Sequence, residues 1–149
     1  MTDTDTFLRD TLASTRVIAV VGFSPDPDRP SHGVARYLQQ QGYRVIPVNP
    51  GQAGKTALGE TVVARLSDIA GDVPVDMVNI FRKPEAVPAI VEEAIAHLPH
   101  LRTVWMQIGV AHEGAALTAR EAGLAVVENR CPKIEIPRLF AGASPLAGA

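Results

Sequence analysis

The sequence predicts an α/β fold: a doubly wound parallel sheet of five main strands, with helices on both faces. Three observations predict it. Short apolar runs rich in β-branched residues, first at Val17–Val21 and again at Arg44–Val48, have the pattern of parallel strands covered on both sides. Other stretches carry apolar residues at helical spacing, most clearly Val87, Ile90, Val91, Ala94, Ile95 and Leu98. The two kinds of stretch alternate along the chain, which favours parallel pairing through crossovers over hairpins. Right-handed crossovers then give 3-2-1-4-5 as the expected strand order.

Each element has its own signal. Residues 4–14 form a short helix with Phe7, Leu8 and Leu12 on one face. The first strand ends at Gly22. Pro30 opens a helix by its preset φ, with Ser31 as the N-cap, and Gly42 stops that helix. The second strand is followed by GQAGKTALG at 51–59, too long for a tight turn and placed where ligand-binding loops collect. Residues 61–69 hold a short strand and a helical turn around Leu66 and Ile69. A third strand at 75–81 leads into Arg82, Lys83 and Pro84. The amphipathic helix begins at Pro84 or Pro88, since an interior proline would break it. A fourth strand at 103–108, a helix at 112–122 closed by Gly123, and a fifth strand at 124–127 follow. Residues 133–139 add an extended or helical piece, and the small-residue tail from about 140 is expected to fray. One domain over 1–149 is expected.

Composition narrows the class of protein. The chain has 149 residues, 46% hydrophobic and 20% charged, with a net charge of −2, so no broad electrostatic footprint for nucleic acid is expected. A single cysteine, Cys131, excludes an internal disulfide framework and fits a reducing compartment. The N-terminus MTDTDTFLRD is polar and acidic, unlike a signal peptide, and no apolar run approaches the roughly 20 residues that span a bilayer. A cytoplasmic protein without a membrane partner is expected. Whether it has a protein partner or oligomerises is not legible.

In a sheet of this kind the C-terminal ends of the strands face one crevice. Five short sequences should line it: GFSPDPDRPS with Gly22, Phe23, Ser24, Pro25, Arg29 and Ser31; NPG with Asn49 and Pro50; FRK with Phe81, Arg82 and Lys83; QIG with Gln107 and Gly109; and NRC with Cys131. The first loop points backbone N–H groups and a helix N-terminus at one spot, which suits a phosphate. It is not the dinucleotide fingerprint G-x-G-x-x-G, because only its first glycine matches, and the second strand ends in Asn49 rather than an acid. NAD is therefore disfavoured. Ser24, Arg29 and Ser31, with Lys55 in the next loop and Arg82 and Lys83 beyond, suit a ligand with several phosphates, such as a 3′-phosphorylated adenosine diphosphate.

These residues carry a resemblance. The segments G-x-S-x-x-P-x-R-x-S, V-x-x-Y-L-x-x-x-G-Y-x-V-x-P-V-N-P, F-R-K-P, V-W-M-Q-I-G and N-R-C-P-K-I-E, in that order, resemble the small stand-alone CoA-binding proteins. Those in turn are similar to the N-terminal CoA-binding domain of the succinyl-CoA synthetase α subunit. The likeness runs from about Val17 to Leu139. It implies a Rossmann-like domain that binds coenzyme A or an acyl-CoA. It implies that Gly22, Ser24, Arg29 and Ser31 surround the pyrophosphate and that Asn49 and Pro50 border the adenosine. Phe81, Arg82 and Gln107 would lie along the cleft near the adenine or pantetheine. The domains that complete an acyl-CoA ligase are not in this sequence, so the expected function is binding without catalysis. The alternatives are a CoA-binding component of a multi-chain ligase or transferase, and a nucleotide- or redox-sensing regulator.

Several of these residues also have plainer readings. Ser24 and Ser31 fit turn and cap roles, and Arg82 and Lys83 fit solvated strand ends. Phe81 fits core or cleft. His32, in a first helical turn, has neither a carboxylate nor a nucleophile arranged with it. The four histidines and one cysteine lack metal-site spacing, so no metal is expected. Cys131 is either buried and inert or a thiol in the crevice, with Arg130 favouring its thiolate. Asp26 and Asp28 would repel a phosphate unless they face solvent, pair with Arg29 or cap the loop.

Overall fold

The computed structural model describes residues 2–147. Helix α1 (Asp3–Ser14) starts at Thr2, whose hydroxyl accepts from Asp5 N at 3.0 Å. Strand β1 (Val17–Val21), helix α2 (Pro30–Gln40) and strand β2 (Arg44–Val48) form the opening unit. A two-stranded hairpin, β3 (Thr56–Ala57) and β4 (Glu60–Thr61), follows. The rest is β5 (Met77–Ile80), α3 (Val87–His97), β6 (Thr103–Met106), α4 (Glu113–Glu121), β7 (Ala125–Val127) and α5 (Pro132–Phe140). The five longer strands make one parallel sheet, and the fold is Rossmann-like.

The strand order is β2-β1-β5-β6-β7, not the expected 3-2-1-4-5. The third long strand lies beside β1 instead of outside β2. The reason is local. After β2 the chain folds back along that strand's free edge, where Val63 N donates to Pro47 O at 3.1 Å and Asn49 N to Val63 O at 2.9 Å. Pro47 has no N–H to give a neighbour on that side, a feature confined to edge strands. With β2 at the edge, β5 crosses to the other flank of β1. The C-terminal end of β5 therefore adjoins the Gly22 loop directly.

Alternation along the strands sorts the core into two layers. Val17, Ala19, Val21, Val78, Ile80, Val104 and Met106 face α3 and α4, which contribute Val87, Val91, Ala94, Ala115, Ala116 and Ala119. Ile18, Val20, Val45, Met77, Trp105 and Val127 face the other way. They meet Leu8 and Leu12 of α1, Val34, Ala35 and Leu38 of α2, and Ile136 and Leu139 of α5. The segment after Cys131 is thus a helix. Arg138 clamps it to α1 through Asp5 at 2.9 Å while also holding Glu135 at 2.7 Å. Through residue 147 the tail lies against the fold: Ser144 Oγ donates to Gln41 O at 2.6 Å and Leu146 packs on the second layer. Residues 148–149 lie outside the described residues. Among the described residues no helix is long and apolar enough to cross a membrane.

Candidate ligand-binding crevice

The loop from Gly22 to Ser31 is built around its own hydrogen bonds. Gly22 and Phe23 both donate to Val48 O, at 3.0 and 3.2 Å, tying the loop to the end of β2. Gly22 sits at φ +87°, and a Cβ there would come within 2.5 Å of Phe81 O, so only glycine fits. Ser24 N donates to Ser31 Oγ at 2.9 Å, and Asp26 N to Ser24 Oγ at 3.2 Å. Asp26 in turn caps the loop, its Oδ1 accepting from Asp28 N at 3.0 Å and its carbonyl from Arg29 N at 3.0 Å. His32 Nδ1 donates to Ser24 O at 3.0 Å while its ring lies 5.3 Å from Phe23. Ser31 is consequently not the N-cap. Arg29 holds that position and no side chain caps α2, so the helix opens uncapped beside an exposed arginine. That pairing suits an anion.

Three clefts join along the C-terminal edge of the sheet. The middle one, about 360 Å³, is lined by Gly22, Ser24, Arg29, Pro30, Ser31 and Phe81. On one side a cleft of about 210 Å³ shares Gly22 and adds Val48, Pro50, Arg65, Leu66, Arg82, Ile90 and Glu93. On the other a cleft of about 630 Å³ shares Pro30 and Phe81. It adds Val34, Pro84, Ile108, Gly109, Val110 and Cys131, with Arg82, Lys83 and Gln107 as its polar side chains. Of these three Gln107 is the buried one, 7% exposed, and its Oε1 has no protein partner. Asn79 is fully buried on the same face of the sheet, opposite Trp105 in register, and neither atom of its amide is paired. Buried amides are normally satisfied, and these three atoms depart from that rule.

The crevice gathers Gly22, Ser24, Arg29, Ser31, Pro50, Phe81, Arg82, Lys83, Gln107, Gly109 and Cys131 as expected. Four others it does not gather. Phe23 is fully buried in the second core layer, and its carbonyl is taken by Asn49 Nδ2 at 2.7 Å. Pro25 points outward on the exposed stretch of the loop and lines none of the three clefts. Asn49 spends its amide on bracing, donating to Phe23 O and accepting from Gly51 N at 2.8 Å. Lys55 belongs to the hairpin outside β2, exposed and lining none of the clefts. Sequence reasoning missed Arg65 and Asn79. Arg65 lies in a loop with no motif, placed by the turn at Leu66–Asp68 that Glu93 holds through Leu66 N and Ser67 Oγ, each at 3.1 Å. Asn79 had a signal, a lone amide inside an otherwise apolar strand. Arg130, expected to act on Cys131, instead reaches Glu135 at 3.3 Å.

Comparison with known proteins agrees with this architecture. The uncharacterized protein YneT of Bacillus subtilis is 38% identical over 127 residues, covering 85% of this chain and 90% of that one. A Thermus thermophilus structure, cell-free ID.343, superposes with a TM-score of 0.84 at 43% identity, covering 91% of this chain and 98% of the other. A dinucleotide-forming acetyl-coenzyme A synthetase 1 of Ca. Korarchaeum cryptofilum, solved with phosphate and ADP, shares the fold. Its TM-score is 0.60 at 21% identity, over 80% of this chain and 26% of that one. The family model described as CoA binding domain matches residues 16–137. The chain belongs to that CoA binding domain family.

Proposed function

We propose that this chain, as a single binding domain, holds coenzyme A or an acyl-CoA in the crevice and does no chemistry on it. The observation that carries the reading is the row of three joined clefts with the uncapped α2 N-terminus and Arg29 at its centre. The pyrophosphate sits in the middle cleft against Gly22, Ser24, Arg29 and the start of α2. The adenosine takes the narrow cleft beside Pro50, where Arg65 and Arg82 supply charge for its 3′-phosphate in place of the expected Lys55. The pantetheine arm runs through the wide cleft along Val34, Phe81, Ile108 and Val110, apolar walls that suit its aliphatic stretches.

Family membership supports the ligand class. Titration calorimetry on protein freed of ligand tests the reading, with CoA, dephospho-CoA, NAD and ATP in parallel. CoA should bind most tightly, and dephospho-CoA more weakly by about 1.5–3 kcal/mol if a charged hydrogen bond reads the 3′-phosphate. Equal affinity for CoA and dephospho-CoA would remove Arg65 and Arg82 from that role. Preference for NAD or ATP would overturn the ligand.

A further inference from the structure

We infer that Glu93 is a positioning residue for the narrow cleft: its carboxylate pins the turn at Leu66–Asp68 so that Arg65 meets the 3′-phosphate, and it thereby sets the preference for the phosphorylated ligand. This rests on the proposed binding of CoA. Glu93 lies on α3, 27 residues from Leu66 and 26 from Ser67. Arg65 occupies the N-cap position of the turn, with extended backbone, and its side chain makes no capping hydrogen bond. Inside the turn Asp68 N donates to Arg65 O at 3.0 Å and Ile69 N to Leu66 O at 3.1 Å. The Leu66 amide, at the start of the turn, has no such partner within it. Glu93 supplies one from α3. Its Oε1 accepts from Leu66 N and its Oε2 from Ser67 Oγ, each at 3.1 Å. The Leu66 side chain seats the turn in the first core layer, and Glu93 fixes the entry from which Arg65 projects.

Arg65, Arg82 and Glu93 line this one cleft. A carboxylate free to pair with the arginines would compete with a phosphate for them. Here the turn engages both of its oxygens, and among the described residues neither arginine forms an ion pair with it. Two cations are thus left for an incoming anion. Charge and positioning give opposite signs on removal of Glu93. Loss of a negative charge beside a phosphate site strengthens binding of the phosphate. Loss of the pin leaves Arg65 to be ordered by the ligand, which weakens it.

The test is the ratio of affinities for CoA and dephospho-CoA, measured by calorimetry across variants. In Glu93→Ala the ratio should fall about fivefold, through CoA alone, since the ligand must then order the backbone of one residue. Glu93→Gln should hold the ratio within about twofold of the wild type or raise it. Its amide oxygen still accepts from Leu66 N, and its N–H donates to Ser67 Oγ. In an Arg65→Ala background, adding Glu93→Ala should change the ratio no further, because Glu93 acts through Arg65. A ratio unchanged or raised in Glu93→Ala overturns the role, and so does equal weakening of both ligands. A fall in Glu93→Gln as large as in Glu93→Ala, or a fall that persists without Arg65, overturns it too. The wild-type protein separates the two readings. CoA bound, with Glu93→Ala silent or with dephospho-CoA bound equally well, removes the positioning role and leaves CoA binding standing. CoA unbound removes both.

Discussion

Two loops leave neighbouring strands at the same end of the sheet, and beyond Pro50 only one of them lines the crevice. The loop at 22–31 follows β1, and the segment at 49–63 follows β2. Both are rich in glycine, proline and polar residues, and both looked like ligand loops in the sequence. Their backbone hydrogen bonds explain the different fates. The first loop ties itself to the end of β2 at Val48 and braces internally through Ser24, Asp26 and Ser31, which leaves the start of α2 open. The second satisfies itself in a hairpin and along the outer edge of β2, through Val63 and Val62, so Lys55 travels with it away from the clefts. Position after a strand offers a loop the chance to bind. Where its donors and acceptors go decides whether it does.

The strongest way to break the first loop is Gly22→Ala. The new Cβ would sit at positive φ and press on Phe81 O, where backbone cannot give way. We expect a loss of about 2–4 kcal/mol of stability in denaturant unfolding. A loss under half a kcal/mol would show that the approach of the two strand ends is not tight. Arg29→Ala should leave stability unchanged and weaken CoA by about 1.5–3 kcal/mol in calorimetry at low salt, the range of a hydrogen bond to a charged group. Unchanged affinity would take Arg29 out of the site.

Asn49 links the two loops, one side-chain atom on each. Asn49→Ala should cost about 1–2 kcal/mol of stability, because a part-buried carbonyl loses its donor. A change in CoA affinity larger than the change in stability would instead make Asn49 a direct contact, as the sequence suggested. Lys55→Ala should move both quantities by less than about 0.5 kcal/mol, as for an exposed charge outside any site. A clear loss of CoA affinity there would mean the hairpin folds over the ligand.

Periodicity made most of the fold legible: the five long strands, the helices before Cys131 and the five segments at the strand ends were readable, whereas the hairpin at 56–61 was not and the helical state of the piece after Cys131 was left open. The order of the strands was not taken correctly, although Pro47 carried the clue. A proline inside β2 removes one ladder donor on its outer side, which disfavours a full strand there and points to β2 as the edge. Phe23 was unreadable for a different reason. The positive φ of Gly22 resets the alternation of β1, so the next side chain turns into the layer of Ile18 and Val20. The role of Ser31 was half legible: a hydroxyl beside a helix start suggests a cap, but its partner, Ser24 N, lies seven residues back and depends on the closed loop. Arg65 reached the crevice through a turn fixed by Glu93 from a distant helix, a contact no local pattern announces.

Backbone amide NMR of the protein, titrated with CoA to saturation, tests the central claim most directly, that the first loop and not the hairpin holds the ligand. The account predicts the largest shift changes at Gly22, Ser24, Ser31 and Gln107–Gly109, with the amides of Lys55 through Glu60 unmoved. Large changes in the hairpin with a silent 22–31 loop would contradict it.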